Sequence, residues 1–144
     1  MRLFKGVLII SCFILFIGCS KTEDVLSQSS TQDIQDYLNE QQTGFIIITN
    51  ETDATFLDEV QTTLLEKELT AKLFNVFYND GKNKNSDGLS KNPFNFEMPS
   101  VNSIYYIKDG KVSEEYDLET HTGLKQEKEL NHFLDVNERV TQYE

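Results

Sequence analysis

Apolar positions along this chain change period several times, and each change marks a new element. Residues 45–48, Phe-Ile-Ile-Ile, form an unbroken apolar run between Gly44 and Asn50. No polar alternation interrupts it, which predicts a strand buried on both faces, the habit of parallel pairing. Residues 53–69 switch to a helical period at Phe56, Leu57, Val60, Leu64 and Leu65, with Asn50, Thr52 and Asp53 available as caps. Residues 73–78 return to apolar strand character. Strand, helix and strand within about thirty-five residues predict a right-handed βαβ unit.

The flanks complete the pattern. Ile34, Tyr37 and Leu38 predict a short amphipathic helix over residues 33–41. Residues 81–100 break the rhythm with Gly, Asn, Lys, Ser and both prolines, Pro93 and Pro99. A loop of that length inside a small domain is either functional or mobile. Residues 103–107 resume a strand, Lys108-Asp109-Gly110-Lys111 reads as a hairpin turn, and residues 112–118 form the return strand. Gly123 then precedes a closing helix over residues 124–136, with Leu130, Phe133 and Leu134 on one face. No internal repeat is visible. The expectation is one α/β domain over residues 32–144, with a mixed central sheet, a βαβ unit, a C-terminal β-hairpin and a closing helix.

Residues 1–31 do not fit that domain. Arg2 and Lys5 open the chain, an apolar run follows from Val7 to Ile17, and Phe16-Ile17-Gly18-Cys19 closes it. Basic start, apolar core and small residue before the cut are the order of a secretory signal, and a membrane span needs roughly 20 apolar residues. Gly18 and Cys19 resemble the lipobox of bacterial lipoproteins, with Phe16 a departure because the leucine, Leu15, sits one place further out. The resemblance implies a signal peptide over residues 1–18, cleavage before Cys19, and acyl chains on the Cys19 sulfur. Each buried methylene then contributes about 0.8 kcal/mol to anchoring on the extracytoplasmic face of the cell membrane. Residues 20–31 are polar apart from Val25 and Leu26, which reads as a flexible tether running from Cys19 to residue 31. Cys12 leaves with the signal and Cys19 becomes a thioether, so the exported domain is expected to carry no free thiol and no disulfide.

Charge narrows the partners. The whole chain carries a formal −11, and removal of the signal takes away two basic residues and no acidic ones, leaving eleven Lys and Arg against twenty-four Asp and Glu. Nucleic-acid binding needs a basic footprint and is excluded as an expectation. A cationic partner or a merely solvated surface remains compatible.

The order helix, strand, long helix, parallel strand, loop, β-hairpin and terminal helix resembles the thioredoxin-like fold. Three stretches carry the likeness. Residues 101–111, Val-Asn-Ser-Ile-Tyr-Tyr-Ile-Lys-Asp-Gly-Lys, look like the family's segment of valine, cis-proline, threonine, strand and Lys-Asp-Gly turn. Residues 44–56 look like its first central strand running into the redox motif, and residues 125–136 like its last helix. In length and in these segments the chain resembles small thioredoxin-like proteins associated with bacteriocin export in Gram-positive bacteria, although the run after Cys19 would also suit surface lipoproteins of Bacteroidetes.

The departures matter more. Where the family has CxxC, this chain has Thr52-Asp53-Ala54-Thr55. A threonine hydroxyl has neither the polarizability nor the accessible pKa that let a thiolate attack a disulfide. The cis-proline position holds Asn102, and a cis bond before a non-proline residue costs about 2.5 to 4 kcal/mol, so a trans bond is expected there. The loop over residues 81–100 replaces a helix.

Other constellations are weak. Asn83, Asn85, Asp87 and Gly88 imitate the start of a calcium loop, but its twelfth position is Phe94 where such a loop requires a bidentate Glu. His121 and His132 lie at no recognisable ligand spacing, and no Gly-x-Ser-x-Gly turn presents a nucleophile. No metal and no cofactor are expected. Phe94, Phe96 and Met98 put apolar groups in a polar loop, where they either cover the core or form an exposed edge for a peptide. The candidate edge comprises Thr52, Asp53, Thr55, Phe94, Phe96, Val101, Asn102 and Ser103.

The resulting expectation is a membrane-anchored, redox-inactive thioredoxin-like lipoprotein that binds a protein or peptide, as an accessory to bacteriocin export or immunity. Two other classes stay open. One is a divergent envelope enzyme, an oxidoreductase relative or a hydrolase, and the other is a purely structural envelope lipoprotein.

Overall fold

The computed structural model describes residues 25–79, 91–120 and 123–142. The signal segment, Cys19, the calcium-like run from Asn83 to Gly88 and His121 lie outside the described residues.

The described chain is a mixed α/β unit built on a five-stranded sheet in the order β1-β3-β2-β4-β5. Its strands are β1 (Leu26–Gln28), β2 (Gly44–Thr49), β3 (Ala71–Asn75), β4 (Ser103–Lys108) and β5 (Lys111–Asp117). Its helices are α1 (Thr31–Asn39), α2 (Asp58–Glu66) and α3 (Leu124–Gln142). Strands β1, β3 and β2 run parallel, and β4 and β5 extend the sheet in antiparallel register.

The apolar run at residues 45–48 lies at the centre, as its pattern requires. Phe45 and Ile47 project to one face, and Ile46 and Ile48 to the other. All four are 5% exposed or less. On the first face they meet Val60 and Leu64 of α2 and Leu130, Phe133 and Leu134 of α3. On the second they meet Ile34 of α1 together with Phe74, Phe94 and Met98. Each such fully buried side chain contributes about 1.5 to 3 kcal/mol relative to exposure. The three predicted stripes on α1, α2 and α3 therefore become the two inner layers of a three-layer molecule.

Several boundaries differ from the sequence expectation. Residues 26–31, read as the end of a tether, belong to the folded unit. Strand β1 pairs with β3 from Leu26 to Gln28, the Ala71 N–H donates to Val25 at 2.9 Å, and Ser30 caps α1. Three residues are too few to show a period, and the pairing partner is more than forty residues away. The predicted helix over 53–69 divides into a 3₁₀ turn (Ala54–Leu57) and α2, and Leu65 faces solvent because the buried stripe is Val60, Thr63 and Leu64. The strand expected over 73–78 stops at Asn75. Its side-chain oxygen accepts from the N–H groups of Phe77 and Tyr78, which turns the backbone and leaves both rings more than half exposed.

The loop between β3 and β4 packs where its described part reaches the sheet. Asn92 donates to the Met98 carbonyl at 2.7 Å and accepts from the Phe94 N–H at 2.9 Å, closing a compact turn. Phe94 then meets Phe74 edge-on at 5.0 Å. Tyr105 of β4 fastens the end of the segment, donating to the Ser100 carbonyl and accepting from its N–H. Residues 91–100 thus cover the same face of the sheet as α1.

Candidate functional site

The parallel strands β1, β3 and β2 end side by side at Gln28, Asn75 and Thr49, and the chain leaves β2 through the polar residues 50–53 before entering the 3₁₀ turn. Carboxyl ends of parallel strands are where open α/β sheets most often present a ligand site, because the connecting loops splay apart there. Two features are built at this end.

The first is a polar junction centred on Asn102. Its φ of 57° lies in the left-handed region, which Asn tolerates better than most residues, and it is 2% exposed. Its Oδ1 accepts from the Thr49 hydroxyl at 2.8 Å and from the Asn50 N–H at 3.3 Å. Its Nδ2 donates to Glu119 at 2.6 Å and to Glu51 at 3.3 Å. One amide thus ties the exit of β2, the entry of β4 and the end of β5 together. No cis peptide bond occurs among the described residues, so the chain passes this position by a left-handed turn.

The second is a cavity of about 320 Å³ beside that junction. Its floor is apolar, formed by Leu26, Leu57 and Leu73. Its walls carry Glu51, Asp53, Gln28, Asn75 and Tyr78. Asp53 caps the 3₁₀ turn, accepting from the Thr55 hydroxyl at 2.7 Å and from the Thr55 N–H at 2.9 Å. Those two donors, the hydroxyl first, hold the Asp53 carboxyl below the usual carboxylate range. It stays ionised at neutral pH and is for the same reason a weak base. The Thr55 hydroxyl donates to this carboxylate, so the pair acts as a cap at the start of the 3₁₀ turn.

The residues picked out in sequence do not form one edge. Thr52, Asp53 and Thr55 share the exposed loop, and Asn102 is joined to it through Asn50 and Glu51. Phe94 is 3% exposed and belongs to the core on the α1 side, so of the two readings of that loop the core-covering one holds for it and for Met98. Ser103 is wholly buried, and its hydroxyl has no hydrogen-bond partner among the described residues. Neither side chain can meet a partner. Val101 is half-buried against the same core layer, whereas Phe96 is 97% exposed. Sequence reasoning missed Glu51, Glu119, Asn75 and Tyr78. The Glu51-Thr52-Asp53 run after an apolar strand was the available signal for part of this set.

Among the described residues, no cluster of three or more His, Cys, Asp or Glu side chains is arranged to hold a metal ion, and no helix is long and apolar enough to cross a membrane. No protein-family model matches the chain, and no curated protein matches it in sequence.

Proposed function

We propose that the protein is a membrane-tethered, redox-inactive thioredoxin-like lipoprotein that binds a protein or peptide at the cell surface, as an accessory in bacteriocin export or immunity. The strand order β1-β3-β2-β4-β5, with a parallel β2–β3 pair and a terminal hairpin, supports the thioredoxin-like part of this reading. The observation that carries the rest is the loop from Thr52 to Thr55. It follows the carboxyl end of β2, the position that the resemblance would assign to the family's thiols, and it offers exposed hydroxyls and a carboxylate beside the cavity. Such a surface recognises; it has no group that exchanges electrons with a disulfide. The tether rests on the Gly18-Cys19 pair and the apolar run before it.

Photocrosslinking in the native cell tests the reading, with the photoreactive residue placed at Thr52 or Thr55. One shared partner captured from both positions is the expected result. Scattered capture overturns it in favour of a structural lipoprotein, and catalysed disulfide reduction by the purified chain overturns it in favour of an enzyme. Metabolic labelling with palmitate, abolished by Cys19→Ala, checks the anchor.

A further inference from the structure

We propose that the cavity at the carboxyl ends of β1, β3 and β2 takes up an arginine or lysine side chain of the partner. This deepens the binding reading above and rests on it. The cavity is small, since sites for drug-sized ligands run from about 300 to 1,000 Å³. Its 320 Å³ suits one long side chain better than a whole cofactor.

The lining matches such a side chain in parts. Leu57 and Leu73 in the floor would pack against an aliphatic stem, which lysine and arginine bury while keeping the head polar. Glu51 and Asp53 supply two carboxylates at the wall, and among the described residues no Lys, Arg or His lines the cavity. Each is engaged through one oxygen in the junction or the cap, which fixes it in place, and the second oxygen has no hydrogen bond from any described residue. Tyr78 adds an aromatic wall, and its ring stacks edge-on against Phe77 at 5.3 Å. A guanidinium or ammonium over that ring gains a cation–π contribution. Tyr78 of the lining and its neighbour Phe77 are 66% and 57% exposed, so an exposed aromatic pair lies to one side of the carboxylates. Exposed aromatic pairs beside a charged pocket are the composition of a recognition surface.

The charge is local as well as global. A second acidic cleft, containing Asp33, Asp36 and Glu40, also contains Lys72, whose ammonium already sits 5.2 Å from the Tyr37 ring. That cleft has its own cation. The cavity at the strand ends has none among the described residues, which is why it is assigned the incoming one.

The test uses the full-length chain in detergent micelles and two probes, hexa-arginine and hexa-lysine peptides, titrated at several salt concentrations. The double variant Glu51→Gln/Asp53→Asn keeps the cap and the Asn102 contact while removing both charges. It is expected to weaken binding about tenfold, the change that 1.4 kcal/mol produces. The charge-matched variant Asp36→Asn/Glu40→Gln is expected to bind as the parent does. Equal weakening by both pairs overturns the proposal, because it assigns binding to overall charge. Amide NMR shifts should concentrate at residues 49–53 and 77–78, and shifts spread over the acidic surface overturn it likewise. If the partner captured by crosslinking touches Thr52 through a segment without Lys or Arg, this inference falls and the binding reading stands. If the peptides bind at the cavity and no partner is captured in cells, the binding reading falls.

Discussion

Asn102 occupies a left-handed backbone conformation and divides both ends of one amide among four groups. Removal of that amide leaves the buried Thr49 hydroxyl with no acceptor for its proton, an orphan that costs about 1 to 3 kcal/mol, and Ala in the left-handed region adds a penalty of roughly 1 kcal/mol. Asn102→Ala is therefore expected to lower unfolding stability by about 2 to 4 kcal/mol in a urea titration. A loss below about 0.5 kcal/mol would show that the junction does not hold the three strand ends together. Asn102→Pro is expected to be worse, since a ring that fixes φ near −65° cannot enter the 57° conformation. Two capping carboxylates give the residue scale a pH signature. Asp33 is lowered by hydrogen bonds from the Ser30 N–H and hydroxyl, and Asp53 by those from Thr55. In the unfolded chain both titrate near about 3.9. Above that value both states are ionised and the stabilisation is complete. As the pH falls below it, the unfolded chain takes up protons first, and the stabilisation is lost on approach to the lower folded values. Thermal unfolding followed from neutral pH into acid should show this decline below about pH 4, flattened in Asp33→Asn/Asp53→Asn. An identical acid limb in that variant would assign the decline to other carboxylates.

The hairpin shows what an element owes to its surroundings. Asp109 and Gly110 both have positive φ, 50° and 73°, the pairing that a two-residue turn with the native strand twist requires. The turn is also docked, because the Gly110 N–H donates to Gln42 at 2.9 Å and the Asp109 N–H to the Thr43 hydroxyl at 3.1 Å. A Cβ on Gly110 would lie 2.1 Å from the Leu38 carbonyl oxygen, whereas one on Gly123, φ 62°, meets nothing within 4 Å. Gly123→Ala should therefore cost only the left-handed penalty of about 1 to 2 kcal/mol. Gly110→Ala should cost about 3 kcal/mol or more, because backbone must move as well. Equal losses in parallel unfolding titrations would contradict the docked turn. The same hairpin was legible in sequence, as were β2, the stripes of α1 and α3 and the Val60 and Leu64 part of the α2 stripe, because local period and turn chemistry determine them. The contacts that β1 and residues 91–100 make were not. Strand β1 has three residues and a distant partner, and Phe94 could be assigned to core or edge only once Phe74 was known to lie beneath it. The candidate site was half legible for a related reason. Thr52 and Asp53 announce a loop at a strand end, but Asn75 and Tyr78 join them through parallel pairing across the sheet, which no local pattern encodes.

At the scale of the molecule, the parallel strands give the sheet two different ends. Gly44, Ala71 and the Asp109-Gly110 turn lie at one, and the acidic cavity lies at the other. The chain enters from the first end, since Leu26 pairs with Ala71 at the start of β1, and both Leu26 and Gln28 of this three-residue strand line the cavity. If Cys19 is acylated as proposed, seven residue steps separate the lipid from Leu26, a reach of about 25 Å at full extension. Five or six strand residues then add roughly 17 to 20 Å between the two ends of the sheet. The tether is long enough for either orientation, so it is the direction in which β1 leaves it and the carboxylates at the cavity that are expected to turn the cavity away from the bilayer. The Glu51 and Asp53 carboxylates discourage the cavity end from lying on anionic lipid. Fluorescent labels at Asp109→Cys and Thr52→Cys in acylated protein, reconstituted with a lipid-borne quencher, measure this directly. Stronger quenching at position 109 is the expected outcome. Stronger quenching at position 52 would place the loop against the membrane and make lipid, not a soluble partner, the surface that it meets.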